Sequence, residues 1–85
     1  MSQASIQEKA YAAIREGHIK KAFDLLRTWM KETQSPDMLK LDYLSSRWKR
    51  IEMDSRIGTI RGTQKYQEEN KVIWDLLKLV EELRF

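Results

Sequence analysis

The chain has 85 residues, no cysteine and a hydrophobic fraction of 41% that includes three Trp and three Tyr. A chain of this length buries one modest core, so we expect a single domain over residues 1–85. The absence of cysteine excludes disulfides and thiolate chemistry. No apolar run approaches the roughly 18–20 residues of a membrane span, and the first residues lack a signal-peptide pattern. We therefore expect a cytoplasmic globular protein with no membrane partner.

Glycine and proline divide the chain into four segments in which apolar residues recur every three or four positions, as in amphipathic helices. Gly17 and Gly58 are placed to end helices. Ser35 is the predicted N-cap of the third helix, with Pro36 at the first helical position. The predicted helices span residues 4–16, 19–32, 36–57 and 63–83.

Each segment carries one apolar stripe that predicts a face buried in a common core. Short connections force consecutive helices to pack as antiparallel neighbours. The predicted fold is therefore all-α: a compact antiparallel four-helix bundle. Its long third helix either runs unbroken to about Ile57 or breaks near Met53, and the broken form would be death-fold-like. The predicted core residues are Ile6, Ala10, Ala13, Ile14, Ile19, Ala22, Phe23, Leu26, Trp29, Met30, Leu41, Leu44, Trp48, Ile51, Tyr66, Ile73, Leu77 and Val80, with Val72, Leu76 and Leu83 beside them.

No combination of side chains in the sequence predicts an active site. His18 is the single histidine, and without a second histidine or a cysteine it is expected to be solvated or to cap a helix. The adjacent carboxylates at 68–69 and 81–82 point about 100° apart on a helix and cannot act as a pair. The segment 58–62 resembles no phosphate-binding loop. We expect no catalytic residue, cofactor or metal.

Two polar residues, Arg47 and Asn70, interrupt the apolar stripes of the third and fourth helices. An unpaired guanidinium or amide in a core would cost several kcal/mol, so both need partners. We predict a buried polar network of Arg47 with Asn70, Glu69 and Ser46 that fixes the register of the two helices.

Charge is distributed unevenly in the second half of the chain. Residues 47–65 hold six basic and two acidic side chains, and residues 66–85 hold three basic and five acidic ones. This asymmetry favours docking to a protein, including head-to-tail self-association of the basic third helix with the acidic end of the fourth. Nucleic-acid binding by the basic residues is the alternative. The candidate contact residues are Lys49, Arg50, Arg56, Arg61, Lys65, Trp74, Asp75, Glu81 and Glu82.

Four stretches of the chain together resemble a known family. They are Gly17-x-Ile19-x-x-Ala22-x-x-Leu25-Leu26, Leu44-Ser45-Ser46-Arg47-Trp48-x-x-Ile51-Glu52, Gly58-Thr59-Ile60 and Glu68-x-Asn70-x-Val72-Ile73-Trp74-x-Leu76-Leu77. In this combination and spacing they are similar to the bacterial effector-associated domain of type eleven, over nearly the whole chain. The start of the last helix departs from the family, because Arg61-Gly62-Thr63-Gln64 replaces its usual serine followed by acidic residues.

The resemblance implies the role of an adaptor. Such domains are used like the death-fold adaptors of animals: they are fused to proteases, nucleases, other effectors or nucleotide-driven sensors in bacterial conflict systems. Like domains are thought to pair between polypeptides. The expected partner is therefore a homologous domain on an effector or a sensor.

Overall fold

The computed structural model describes residues 3–58 and 62–83. Within them the chain forms four α-helices, which confirms the predicted all-helical fold: α1 (Gln3–Arg15), α2 (Ile19–Thr33), α3 (Met38–Arg56) and α4 (Gly62–Glu82). Of the two alternatives for the third helix, the structure shows the unbroken one and not the break near Met53, because α3 is continuous to Arg56. No glycine or proline interrupts this helix, so its hydrogen-bond ladder continues until Gly58.

The first two helices end with the same backbone motif. After α1, Gly17 has φ +82° and the His18 amide donates to the Ala13 carbonyl at 2.8 Å. After α2, Gln34 has φ +52° and the Ser35 amide donates to the Met30 carbonyl at 3.0 Å. Both are Schellman-type ends, in which a left-handed residue lets a later amide satisfy a helix carbonyl. Glycine adopts this conformation readily, whereas glutamine does so at a steric cost.

The start of α3 differs from the prediction. The helix begins at Met38, so Pro36 is not its first residue and Ser35 is not its N-cap. The Ser35 hydroxyl oxygen instead accepts a hydrogen bond from the Asp37 amide at 3.2 Å. This bond closes a local turn between Ser35 and Asp37. The serine hydroxyl therefore accepts a hydrogen bond before the helix begins and does not cap it.

The four helices pack in a ring of neighbours: α1 on α2, α2 on α3, α3 on α4, and α4 on α1. Two ion pairs between α3 and α4 fix their direction: Lys40 with Glu82 at 3.9 Å, and Arg47 with Asp75 at 3.0 Å. From the first ion pair to the second, the residue number rises by seven on α3 and falls by seven on α4. These helices are therefore antiparallel, as the short connections predict.

The core confirms the predicted stripe of α2 completely, since all six of its residues are buried. On α4 the buried face is different. Val72, Leu76, Leu79 and Val80 line the core, while Tyr66 is exposed. None of residues 62–71 is buried, because the bundle core meets α4 only from Val72 onward. Ile73 and Leu77 pack against the margin of the core and are partly buried.

Candidate interaction surfaces

Among the side chains that the structure describes, the large apolar ones that remain exposed all lie on the second helical hairpin. Among the described side chains, none of this kind occurs on α1 or α2. A scattered apolar residue on a surface is ordinary, but this concentration on two of four helices marks the candidate contact region. The residues and their exposed fractions are Leu39 (81%), Tyr43 (64%), Met53 (63%), Ile57 (69%), Tyr66 (67%) and Trp74 (66%).

Four of these six residues follow one line along the outside of α3. Leu39, Tyr43, Met53 and Ile57 share this line with two exposed polar residues, Ser46 and Arg50. At about 100° per residue, the line lies opposite the buried residues of the same helix. We call it the α3 seam; its residues are Leu39, Tyr43, Ser46, Arg50, Met53 and Ile57.

A charged and aromatic cluster borders the α3 seam on the side of α4. Nη1 of Arg47 donates to Oδ2 of Asp75 at 3.0 Å. The same guanidinium lies 5.6 Å from the centre of the Tyr43 ring, within the range of a cation–π contact. The aromatic ring and the carboxylate therefore hold Arg47 against the outer surface of the two helices.

The predicted buried polar network is wrong in its position and in its partners. Asn70 and Ser46 are exposed, and Arg47 and Glu69 are only partly buried. The pairing of Arg47 with Asp75 sets the helix register and leaves Asn70 five residues, or about 8 Å, further along α4. Arg47 does link α3 to α4, but it does so at the surface.

The predicted basic contact residues are spread over the two long helices. Lys49, Arg50 and Arg56 are exposed on α3, and Lys65 is partly buried on α4. Arg61 lies outside the described residues. Trp74 projects from α4 with two thirds of its surface exposed. Three of the predicted basic residues therefore lie on α3, and the described ones among the predicted residues are not gathered into one patch.

Of the predicted acidic contact residues, Asp75 lies level with Arg47, whereas Glu81 and Glu82 lie at the end of α4, near the start of α3. Asp75, Glu81 and Glu82 are exposed on α4. Asp75 is paired with Arg47, and Oε2 of Glu82 lies 3.9 Å from the Lys40 ammonium. Two of the three acids therefore already have a cationic partner in the same chain.

Sequence reasoning missed a polar contact between α2 and α3. Nε1 of the buried Trp48 donates to Oε1 of Glu52 at 2.9 Å, and the Lys20 ammonium lies 3.6 Å from Oε2 of that carboxylate. A buried indole N–H needs an acceptor, and a glutamate four residues later on a helix is within reach. That spacing is the signal that could have predicted the contact.

One titrating group in the described part has a shifted pKa. Burial, together with the nearby Glu81 carboxylate, raises the pKa of the Tyr11 phenol above its usual 10.0, and a hydrogen bond with Gln7 opposes the rise. The Glu81 effect is repulsion between its carboxylate and the ionised phenol, and it shows that Tyr11 of α1 lies near the end of α4.

Neither a metal site nor a membrane span is present in residues 3–58 and 62–83. No group of three or more His, Asp or Glu side chains there is arranged to hold an ion. No helix in the same segments combines the length and apolar character needed to cross a bilayer.

The fold and its exposed residues define a small all-helical module with a buried core shared by four helices and an apolar outer surface on α3 and α4. Comparison with family models identifies it further: residues 5–84 match effector-associated domain 11. The chain belongs to this family, as its motifs predicted. No curated protein and no solved structure matches it.

The motifs that carry the family resemblance mainly build the fold. Gly17 supplies the left-handed end of α1, and Trp48 with Glu52 supplies the polar contact to α2. Leu26 and Leu76 are fully buried. The four apolar residues of the α3 seam lie outside these motifs and are exposed, so they contribute little to the packed core.

Proposed function

We propose that this domain is a non-enzymatic adaptor that recruits an effector to a sensor by associating with a like domain in bacterial conflict signalling. Membership of the effector-associated domain family carries the proposal. In this role the domain acts in the cytoplasm without a cofactor, and its partner is a homologous domain on an effector or a sensor polypeptide.

The exposed apolar side chains of the second hairpin support this proposal. Contact surfaces are typically enriched in Tyr, Trp, Met and Arg. Tyr43, Met53, Trp74 and Arg50 are all exposed on α3 and α4. A small bundle has no packing reason to keep such residues in water, whereas a protein partner would bury them.

A binding titration tests the proposed function. The probe is a second effector-associated domain of the same family, taken from a protein encoded beside this one. We expect saturable association, measured by calorimetry or by NMR chemical-shift changes on both domains. The absence of association at concentrations on the order of 1 mM, which corresponds to about 4 kcal/mol, would contradict the proposal.

Nucleic-acid binding is the competing outcome of the same experiment. Duplex DNA and single-stranded RNA titrated at low salt would then shift the resonances of Lys49, Arg50 and Arg56. That affinity would fall steeply with salt, because bound phosphates release counterions. We expect neither effect, since the basic residues of α3 share their surface with apolar side chains.

A further inference from the structure

We propose that the α3 seam is a self-complementary surface that pairs with the α3 seam of a second copy of this chain in antiparallel orientation. This inference rests on the proposed function, because it specifies the surface through which a like domain would bind.

The spacing of the α3 seam is the first observation. Its six residues follow one another at intervals of four, three, four, three and four. This is the repeat of about 3.5 residues by which one helix presents a continuous line to another in a coiled coil. Every face of a helix has positions at these intervals, but here four of the six carry large exposed apolar side chains, which a helix facing only solvent would not need. The buried face of α3 already packs in the bundle, so the helix carries a second line on its opposite side.

The order of residues along the α3 seam is the second observation, and it decides the orientation. When two copies are aligned antiparallel about a dyad at position 48, each apolar residue meets an apolar residue. Polar residues meet only polar residues. The pairs between one copy and the other are Leu39 with Ile57, Tyr43 with Met53, and Ser46 with Arg50.

A parallel alignment of the same two helices is less favourable at the centre. It would place Arg50 directly against Arg50 of the second copy within the line of contact. Like charges at a buried position repel each other and lose hydration. The antiparallel alignment instead places the Ser46 hydroxyl, which can accept a hydrogen bond, opposite each Arg50.

Charges on both sides of the α3 seam complement each other in the antiparallel alignment. Lys40 comes beside Asp54 of the second copy, and Asp42 comes beside Arg56. The dyad repeats each pair, which gives four attractive contacts toward the two ends of the interface. Lys40, Asp42 and Arg56 are exposed and Asp54 is partly exposed. Lys40 already pairs with Glu82, and Asp42 with Arg27, in the same chain, so these added contacts at the rim are weak.

Two like-charge contacts at the dyad limit the affinity. Arg47 and Lys49 each approach their own counterpart in the second copy. Arg47 is paired with Asp75 in each copy, which reduces the repulsion between the two arginines. A contact of one helix per copy is also smaller than the roughly 1,200–2,000 Å² of a standard interface. We therefore expect a weak dimer, with a Kd on the order of 100 µM.

Disulfide trapping tests the pairing and its direction. The chain has no cysteine, so introduced thiols have no competitors. Ser46→Cys and Arg50→Cys proteins are mixed and oxidised, with Lys31→Cys on the exposed side of α2 as the control. We expect the mixed Ser46→Cys/Arg50→Cys dimer to exceed either homodimer and the control. In the antiparallel pair the two copies of residue 46 are offset by about 6 Å along the helix, beyond easy disulfide reach.

Two trapping results would overturn the inference. If Ser46→Cys forms a homodimer as readily as it forms the mixed dimer, the helices are parallel. If no cysteine on the α3 seam reacts faster than Lys31→Cys, the seam does not mediate pairing.

Sedimentation equilibrium of matched variants gives a second test. Tyr43→Glu and Trp74→Glu introduce the same charge at residues of nearly equal exposure, 64% and 66%. We expect Tyr43→Glu to weaken self-association at least about tenfold, because it buries a carboxylate in the contact. Trp74→Glu should leave it unchanged. The opposite result would place the contact on α4 and refute the α3 seam. Circular dichroism of both variants should show the unchanged helical fold that their exposure predicts.

Charge reversal tests the register through the rim. Asp54→Lys should weaken the dimer by about twofold to fivefold, and the double variant Lys40→Glu with Asp54→Lys should restore it. If the double variant does not restore the affinity, the proposed register is overturned.

The same variants separate this inference from the proposed function. Tyr43→Glu is titrated against the like domain used to test that function. If the wild-type chain binds the like domain and Tyr43→Glu binds it equally well, the α3 seam is refuted and the adaptor role stands. If the wild-type chain forms the trapped antiparallel dimer but binds no like domain, the adaptor role fails and the seam stands.

Discussion

The two helical hairpins of this domain use their apolar residues differently. The first hairpin, α1 with α2, places them in the core, and α2 buries its entire apolar stripe. The second hairpin, α3 with α4, supplies its share of the core and also keeps six large apolar residues in solvent. The comparison separates two uses of apolar side chains: those of the first hairpin are buried in the core, whereas the second hairpin also leaves some exposed, on the surface that we propose binds a partner.

The largest expected effect comes from leucines on the two hairpins. Leu26 on α2 is fully buried and Leu39 on α3 is 81% exposed. Leu26→Ala leaves a cavity and should lower the free energy of unfolding by about 2–5 kcal/mol. Leu39→Ala should change it by less than about 0.5 kcal/mol. Urea denaturation measures both, and equal losses would show that the exposed leucine stabilises the monomer.

A smaller effect is expected at the left-handed residues that end α1 and α2. A Cβ at Gly17 would meet no atom within 4 Å, so Gly17→Ala carries only a backbone cost, about 1 kcal/mol of lost stability. Gln34→Gly removes the same cost from a residue with φ +52° and should raise the melting temperature by a few degrees. If the melting temperatures of both variants shift in the same direction, this account of the helix ends is contradicted.

The surface position of Arg47 predicts a modest effect in the second hairpin. The side chains of Arg47 and Asp75 are 27% and 48% exposed, so water weakens their ion pair. Arg47→Ala should cost up to about 1 kcal/mol. Asn70→Ala should cost nothing or stabilise slightly, because alanine is the better helix former at an exposed position. If chemical denaturation shows losses of about 2–3 kcal/mol for both variants, the result would support the buried network that the sequence predicted and contradict the surface ion pair.

The smallest effect is the alkaline dependence of stability that Tyr11 contributes. Its pKa is raised in the folded chain, so the folded state holds the phenol proton more tightly than the unfolded chain does. This stabilisation is complete below pH 10 and is lost as pH rises through the folded pKa. Tyr11→Phe should therefore lose less stability than the wild type between about pH 10 and 11. Denaturation midpoints at pH 8 and pH 11 measure the difference, and identical losses would exclude the coupling.

Much of the fold followed from the local sequence pattern, with two exceptions. The helices of the described residues begin and end within two residues of their predicted bounds. The exceptions were the start of α3, where Ser35 forms a turn, and the buried face of α4. Two neighbouring stripes of α4 are both apolar, so periodicity alone could not decide which of them faces the core. The family was predictable from the sequence, because its motifs carry the buried residues and helix ends that this fold needs.

Four helices, their approximate limits, the apolar face of α2 and the family membership could be predicted from the amino-acid sequence. Helix periodicity and the left-handed preference of glycine act over a few residues, so they can be recognised in a single chain. The packed structure was needed to show that Arg47 meets Asp75 at the surface and that Asn70 is exposed. It was also needed to show that Leu39, Tyr43, Met53 and Ile57 remain in solvent. These outcomes depend on the register between helices, which is set by the packing of the whole core.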